Sequence, residues 1–224
     1  MDLLALLLPQ RCAVCGRPGQ SLCPSCRAGL ARLRTPLCNR CGAPTAWPVE
    51  RCRECSGRRL AFASARAAVG YDSAAAALVA AWKEHGIRKL AGAAADLIVE
   101  ILPPPSAEAL VFVPPDGNRL LDRGHHPAER LALELGARWE LPVGSVLVRT
   151  RALARQRGLD RTARRRNVKG AFRIRRTVLP RSLVLVDDVY TTGATASAAA
   201  SALRAGGARE VHVVTFARTV RTGS

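Results

Sequence analysis

The chain is short of aromatic residues, short of acids, and without cysteine beyond position 55. Four Phe, three Trp and two Tyr among 224 residues give little support for a nucleic-acid surface built on base stacking. No apolar run can span a bilayer. The opening M-D-L-L-A-L-L-L-P is far too short, and it carries an acid where an export signal needs positive charge. A chain that is not exported, has no transmembrane segment and stays cytoplasmic is therefore expected. Acids number 17 against 35 Lys and Arg, for a formal charge of +18 and a pI near 11.2. Such an excess suits an anionic partner (nucleic acid, a polyphosphate or an acidic membrane face), or reflects Arg spread over solvated surfaces. Hydrophobic residues at 48% exclude a disordered chain, and the length allows one ordinary domain plus a small appendage.

All eight cysteines form four C-x-x-C pairs: Cys12 and Cys15, Cys23 and Cys26, Cys38 and Cys41, Cys52 and Cys55. Two thiolates two residues apart reach one tetrahedral Zn²⁺, and two such knuckles close a Cys₄ site with no open position. Disulfides would need an exported chain. Sequential pairing is expected, Cys12, Cys15, Cys23 and Cys26 on one ion and Cys38, Cys41, Cys52 and Cys55 on the other. A cross-braced pairing stays open. Gly16 and Gly42 fit the tight turns that free backbone N–H groups toward sulfur. Two structural Zn²⁺ ions would fold this segment, which has few bulky apolar residues of its own. The expected division is a helix and zinc module over residues 1–58 and an α/β domain over residues 59–224.

The second half is organised around Leu183 to Gly206. Leu183 to Val186 form a run of four apolar residues, as a parallel strand covered on both faces requires. Asp187 and Asp188 stand at its end. Thr191, Thr192, Gly193, Ala194 and Thr195 then turn into an Ala-rich helix closed by Gly206. Backbone N–H groups, Thr hydroxyls and a helix N-terminus favour a phosphate, while paired carboxylates suit sugar hydroxyls or a hydrated Mg²⁺. The alternative is an acid pair and a hydroxyl that merely start a helix.

Elsewhere the pattern gives an apolar helix over Leu3 to Leu8, packed on the zinc module or the main domain, or touching a membrane. A strand is expected over Phe62 to Tyr71, a helix from Ser73 toward Lys83, and a second helix after Gly86 ending before Pro103. Strands at Leu110 to Val113, Val143 to Val148 and Glu210 to Phe216, and a helix over Glu129 to Arg138, complete an alternating α/β pattern. The last residues are expected to be a basic tail. Adjacent His125 and His126 point in different directions, against a shared ligand role. Between Arg149 and Arg181 stand 13 Lys or Arg residues and one acid, Asp160. This run is expected to be a mobile loop or hairpin that orders on an anion.

The string V-L-V-D-D-V-Y-T-T-G-A-T closely resembles the phosphoribosyl pyrophosphate (PRPP) signature of the type I phosphoribosyltransferases. More broadly the chain resembles the ComF (ComFC) family of bacterial competence proteins, a zinc module joined to such a domain. The match rests on the C-x-x-C pairs with Gly42, on Y-D-S-A-A-A-A-L-V-A-A-W-K-E-H-G (Tyr71 to Gly86), and on V-P-P-D with Arg123 and Gly124. It also rests on R-A-L-A-R-Q to R-R-R-N-V-K-G-A-F (Arg151 to Phe172).

The resemblance implies that Asp187 and Asp188 hold ribose hydroxyls and that Thr191, Thr192, Gly193, Ala194 and Thr195 wrap the 5′-phosphate. Pro114 and Pro115 would belong to the pyrophosphate loop. Arg151, Gln156, Arg164, Arg165, Arg166 and Asn167 would lie on a flexible basic loop at about 149–170. Lys83 and Arg123 would assist departure of pyrophosphate, with Mg²⁺ accompanying PRPP. Two functions follow as alternatives. One is a phosphoribosyltransferase of nucleotide metabolism; the other is a PRPP-responsive protein of DNA uptake, meeting single-stranded DNA and helicase or channel proteins at the inner face of the membrane.

Overall fold

In a computed structural model, residues 10–83, 86–87, 89–115, 126–150, 170–175 and 179–220 are described. The expected helix at Leu3 to Leu8 lies outside them.

The nine-residue strand Ser182–Tyr190 (β6) is central to a five-stranded parallel sheet. Its neighbours are Ala109–Phe112 (β2) on one side and Glu210–Arg218 (β7) on the other; Ser64–Gly70 (β1) lies outside β7 and Val143–Gly144 (β3) outside β2. Alternate residues of β6 serve opposite faces. Val184 and Val186 pack with Leu110, Phe112, Val214 and Phe216, whereas Leu183 and Leu185 join Val111, Val113, Val211 and Val213. With both faces covered, a strand has no polar side, which explains the unbroken apolar run.

Helices Ser73–Lys83 (α2), Lys89–Ile101 (α3) and Pro127–Trp139 (α4) cover the first face, and Ala194–Ala205 (α5) covers the second. Asp72 caps α2, its Oδ1 accepting from the Ala75 N–H at 2.8 Å. His126 caps α4, its Nδ1 accepting from the Glu129 N–H at 3.2 Å, and Pro127 supplies the preset φ of a first helical residue. This capping is why α4 begins earlier than its apolar periodicity suggests.

The expected single strand over Val143 to Val148 is two strands in two sheets. After Gly144 the chain leaves the parallel sheet, and Leu147–Arg149 (β4) pairs antiparallel with Phe172–Ile174 (β5). β4 and β5 form the base of a hairpin whose intervening residues 151–169 lie outside the described set.

The zinc module is stitched to the sheet. Its short helix Pro24–Ala28 (α1) leads to a linker in which the Leu33 N–H donates to the Ala68 carbonyl at 2.9 Å and the Gly70 N–H to the Ala31 carbonyl at 2.8 Å. Farther along, the Ala65 N–H donates to the Arg40 carbonyl at 3.0 Å, so the module runs along the outer edge of β1. Cys12, Leu22 and Leu30 enter the apolar cluster of one sheet face, and Cys38, Cys41 and Cys55 that of the other. Gly42 makes the approach possible. Its φ is +68°, and a Cβ there would stand 2.3 Å from the Ala65 carbonyl oxygen.

Candidate functional site

From β2 the chain winds outward to β3, whereas from β6 it winds the other way to β7. The carboxyl ends of β2 and β6 therefore flank a topological switch point, where loops diverge and leave a crevice. Asp187 and Asp188 lie near the carboxyl end of β6 on one side; Val113, Pro114 and Pro115 follow β2 on the other. The Val113 N–H donates to the Val186 carbonyl at 3.0 Å, keeping the two strands paired up to the crevice.

Asp188 is 8% exposed and ion-paired with the Lys83 ammonium, delivered from the last residue of α2. The Asp187 carboxylate accepts from the Asp188 N–H at 2.9 Å. Burial first, and the neighbouring Asp188 charge second, push the Asp187 carboxyl up to about 7, against the pull of Lys83 and Arg149. Two acids and two cations thus share one pocket. Arg149 also donates to the Pro114 carbonyl at 3.1 Å and lies 4.8 Å from the Phe172 ring centroid, tying the hairpin base to the loop after β2.

Beyond β6, Gly193 has φ +71° and ψ 8°, a left-handed conformation that turns the chain abruptly into α5. The N-cap residue Gly193 has no side chain to cap this helix, which leaves N–H groups of its first turn beyond Ala194 available as donors. The Thr192 hydroxyl accepts from the Ala194 N–H at 3.3 Å and braces the turn. The arrangement suits an anionic oxygen cluster held by backbone N–H groups beside carboxylates that accept hydroxyl protons.

Lys83, Pro114, Asp187, Asp188 and the turn from Thr191 to Thr195 therefore meet at one end of the sheet. Arg123, Arg151, Gln156, Arg164, Arg165, Arg166 and Asn167 lie outside the described residues, as does His125. His126 acts as a helix cap. Sequence reasoning assigned no site role to Arg58, Tyr190 or Arg218, and placed Arg149 only at the start of the basic run expected to meet an anion. Arg218 stood in the expected basic tail, yet it ends β7 and is 1% exposed. Only its place at the end of an apolar run hinted at burial.

The cysteines form two groups, Cys12, Cys15, Cys23 and Cys26, and Cys38, Cys41, Cys52 and Cys55, with sulfurs in each group within 4.8 Å of one another. The pairing is sequential, not cross-braced. Sulfur separations of 3.7 Å (Cys15 to Cys23), 3.7 Å (Cys38 to Cys55) and 3.5 Å (Cys41 to Cys52) match the spacing of thiolates around tetrahedral Zn²⁺. The Cys52 N–H points at the Cys38 sulfur at 3.3 Å and the Cys23 N–H at the Cys12 sulfur at 3.5 Å, which supports thiolates there. Gly16 and Gly42, at φ +71° and +68°, close the turns of the first knuckle in each group, their N–H groups donating to the Cys12 carbonyl at 2.8 Å and the Cys38 carbonyl at 2.9 Å. Both groups fit Zn²⁺.

Among the described residues, no helix is long and apolar enough to cross a membrane. Residues 3–56 match the double zinc ribbon domain. DNA utilization protein YhgH of Salmonella typhi is 31% identical over 230 residues, covering 96% of this chain and 100% of that protein. The protein of the same name from Escherichia coli K12 is 29% identical with the same coverage. Competence protein F of Haemophilus influenzae is 35% identical over 115 residues, half of each chain. Among solved structures, the allosteric regulatory enzyme of purine biosynthesis gives a TM-score of 0.35 at 23% identity, covering 58% of this chain and 25% of that one. TT1426 from Thermus thermophilus gives 0.34 at 18%, covering 61% and 85%. With a relative matched from end to end and the ribbon in front of a parallel α/β sheet, the chain belongs to the ComF family of DNA utilization and competence proteins.

Proposed function

We propose that the crevice between β2 and β6 binds Mg²⁺-PRPP, and that this binding serves the use of incoming DNA. Asp187 and Asp188 accept from the ribose hydroxyls, and the turn from Thr191 to Thr195 encloses the 5′-phosphate with Gly193 supplying the close backbone approach. Mg²⁺ travels with the pyrophosphate oxygens, for which the hard carboxylate oxygens are suitable neighbours. The observation that carries this reading is the left-handed Gly193 between a strand with two acids near its carboxyl end and a helix N-terminus whose N-cap has no side chain, at the switch point of a parallel sheet. The DNA side rests on the names of the relatives and on the basic run from Arg149 to Arg181.

Calorimetric titration with Mg²⁺ and PRPP tests the ligand. Saturable binding lost in the Asp187→Ala, Asp188→Ala double variant, with zinc content and melting temperature kept, is the expected result. Retained affinity in that variant would show the site to be misassigned. For DNA, phosphate contacts predict that log affinity for a single strand falls with log salt by roughly 0.7 per contact, and that Ala at Arg164, Arg165 and Arg166 flattens the slope.

A second reading, turnover, is favoured by the Lys83 ion pair with Asp188. A cation already in the crevice can follow the charge that develops on departing pyrophosphate, and such positioned charge is the main catalytic need of a ribosyl transfer. Release of pyrophosphate in the presence of a purine, pyrimidine or amine acceptor tests it. Silence with every acceptor leaves the binding reading in place and removes this one.

A further inference from the structure

The strap between the second four-cysteine group and β1 passes over the phosphate turn. One terminal nitrogen of Arg58 donates to the Thr192 carbonyl, and the other donates to the Glu54 carbonyl at 3.3 Å. Arg51 donates to the Arg58 carbonyl at 3.0 Å, holding the strap against the ribbon. Three residues on, the Ala61 N–H donates to the Ser197 hydroxyl at 3.1 Å and pins the first turn of α5. In a trans peptide the carbonyl and the following N–H point in opposite directions. Holding the Thr192 carbonyl toward Arg58 therefore turns the Gly193 N–H away from the strap, as an anion-binding turn needs.

A second link reaches the turn from below. The Arg218 guanidinium donates to the Cys41 carbonyl and, at 3.0 Å, to the Glu54 carboxylate, and lies 5.1 Å from the Tyr190 ring centroid. Tyr190 meets Phe62 edge-on at 6.2 Å between centroids. Its hydroxyl fills the space beside Gly193, where a Cβ would approach it to 2.3 Å. Both arginines thus end on Glu54, which sits between the metal-ligating pair Cys52 and Cys55. The first cysteine group touches the domain differently. Leu22 packs among Leu78, Trp82, Leu90 and Phe216 on the opposite face, and no hydrogen bond joins that group to the turn among the described residues.

We propose that Arg58 and Arg218 are positioning residues through which the second four-cysteine site sets the geometry of the turn from Tyr190 to Thr195. Phosphate binding then depends on that site more than on the first. This rests on the reading of the turn as a phosphate site. The fit of the four thiolates to Zn²⁺ fixes the Cys52 to Cys55 loop, the loop fixes Glu54, and Glu54 fixes both guanidinium groups.

The test uses the full chain, with zinc content by plasma mass spectrometry, melting temperature, and calorimetric affinity for Mg²⁺-PRPP. Arg58→Ala should keep both zinc ions and the melting temperature while weakening PRPP binding about tenfold, the loss of one charge-assisted hydrogen bond. Arg58→Lys, which keeps a donor toward Thr192, should recover part of that loss, a rescue that general destabilisation would not give. Cys52→Ser should weaken binding more than Cys15→Ser. Should Cys52→Ser fail to fold, the Arg58 pair still decides, because it leaves every thiol in place. A wild-type chain that binds no PRPP overturns both this inference and the phosphate reading. A wild type that binds, with Arg58→Ala equal to it or with the two cysteine variants equally impaired, overturns this inference alone.

Discussion

The Lys83 ammonium, at the last residue of α2, is ion-paired with the Asp188 carboxylate, two residues before the end of β6. A helix and a strand 105 positions apart in sequence thus place opposite charges in one crevice, and the neighbouring Asp187 feels both.

Lys83→Met should weaken Mg²⁺-PRPP binding by about tenfold at pH 7, the scale of one lost partly buried ion pair. Without the cation, the Asp187 carboxyl titrates higher than its present value of about 7. Part of the loss should therefore return at pH 8.5, and calorimetry at both pH values would show it. An equal loss at both would mean that Lys83 acts on the ligand and not through the acids.

The raised Asp187 carboxyl also marks the ligand-free fold. Its folded value of about 7 exceeds the ordinary 3.8, so between these the folded chain binds more protons than the unfolded one. Stability from this group therefore falls as pH rises from about 4 to about 7. Urea titrations at pH 5 and pH 8 should show the decline in the wild type and a smaller one in Asp187→Asn.

Gly193→Ala places a Cβ 2.3 Å from the Tyr190 hydroxyl and asks a side-chain-bearing residue to adopt φ +71°. Positive φ alone costs about 1 kcal/mol, and the clash adds to it because the buried Tyr190 ring is wedged against Phe62. Thermal denaturation should register a lower midpoint, together with weakened PRPP affinity.

Glu54→Gln leaves the Arg218 guanidinium, 1% exposed, without its carboxylate. Breaking a buried pair from one side costs about 3–5 kcal/mol, reduced here because Glu54 is partly solvated. Denaturant unfolding should show a destabilisation far larger than a change on a zinc loop ordinarily gives.

Metal removal should destabilise the whole molecule and not only its ribbon, since the two cysteine groups join the apolar clusters on opposite faces of one sheet. Calorimetric scanning should give a single transition that shifts down on chelation. Two separate transitions would mean that ribbon and sheet unfold independently.

The parallel sheet was legible because the apolar run of β6 and the periodicity of α3 are local signals, and the four C-x-x-C pairs announced two metal sites without structural help. The split of Val143 to Val148 was not. Gly144 ends one strand and the next joins a different sheet, a choice made by tertiary partners. Nor was Arg58 legible, since its contact with Thr192 spans 134 positions and leaves no local pattern. Arg218 failed for another reason: beside further basic residues a buried cation cannot be told from a solvated tail.

The backbone pairing of the ribbon with β1 has a consequence for solubility. An open parallel sheet offers two rims of unpaired N–H and C=O groups, each a template for another chain. On one rim β3 is only two residues long and offers little template. On the other, the segments at 31–33 and 40 occupy donors and acceptors of β1 from Ala65 to Gly70. A chain stripped of its ribbon would expose that rim and should associate edge to edge, so the cysteine-rich segment guards the sheet against self-assembly as well as bordering its crevice.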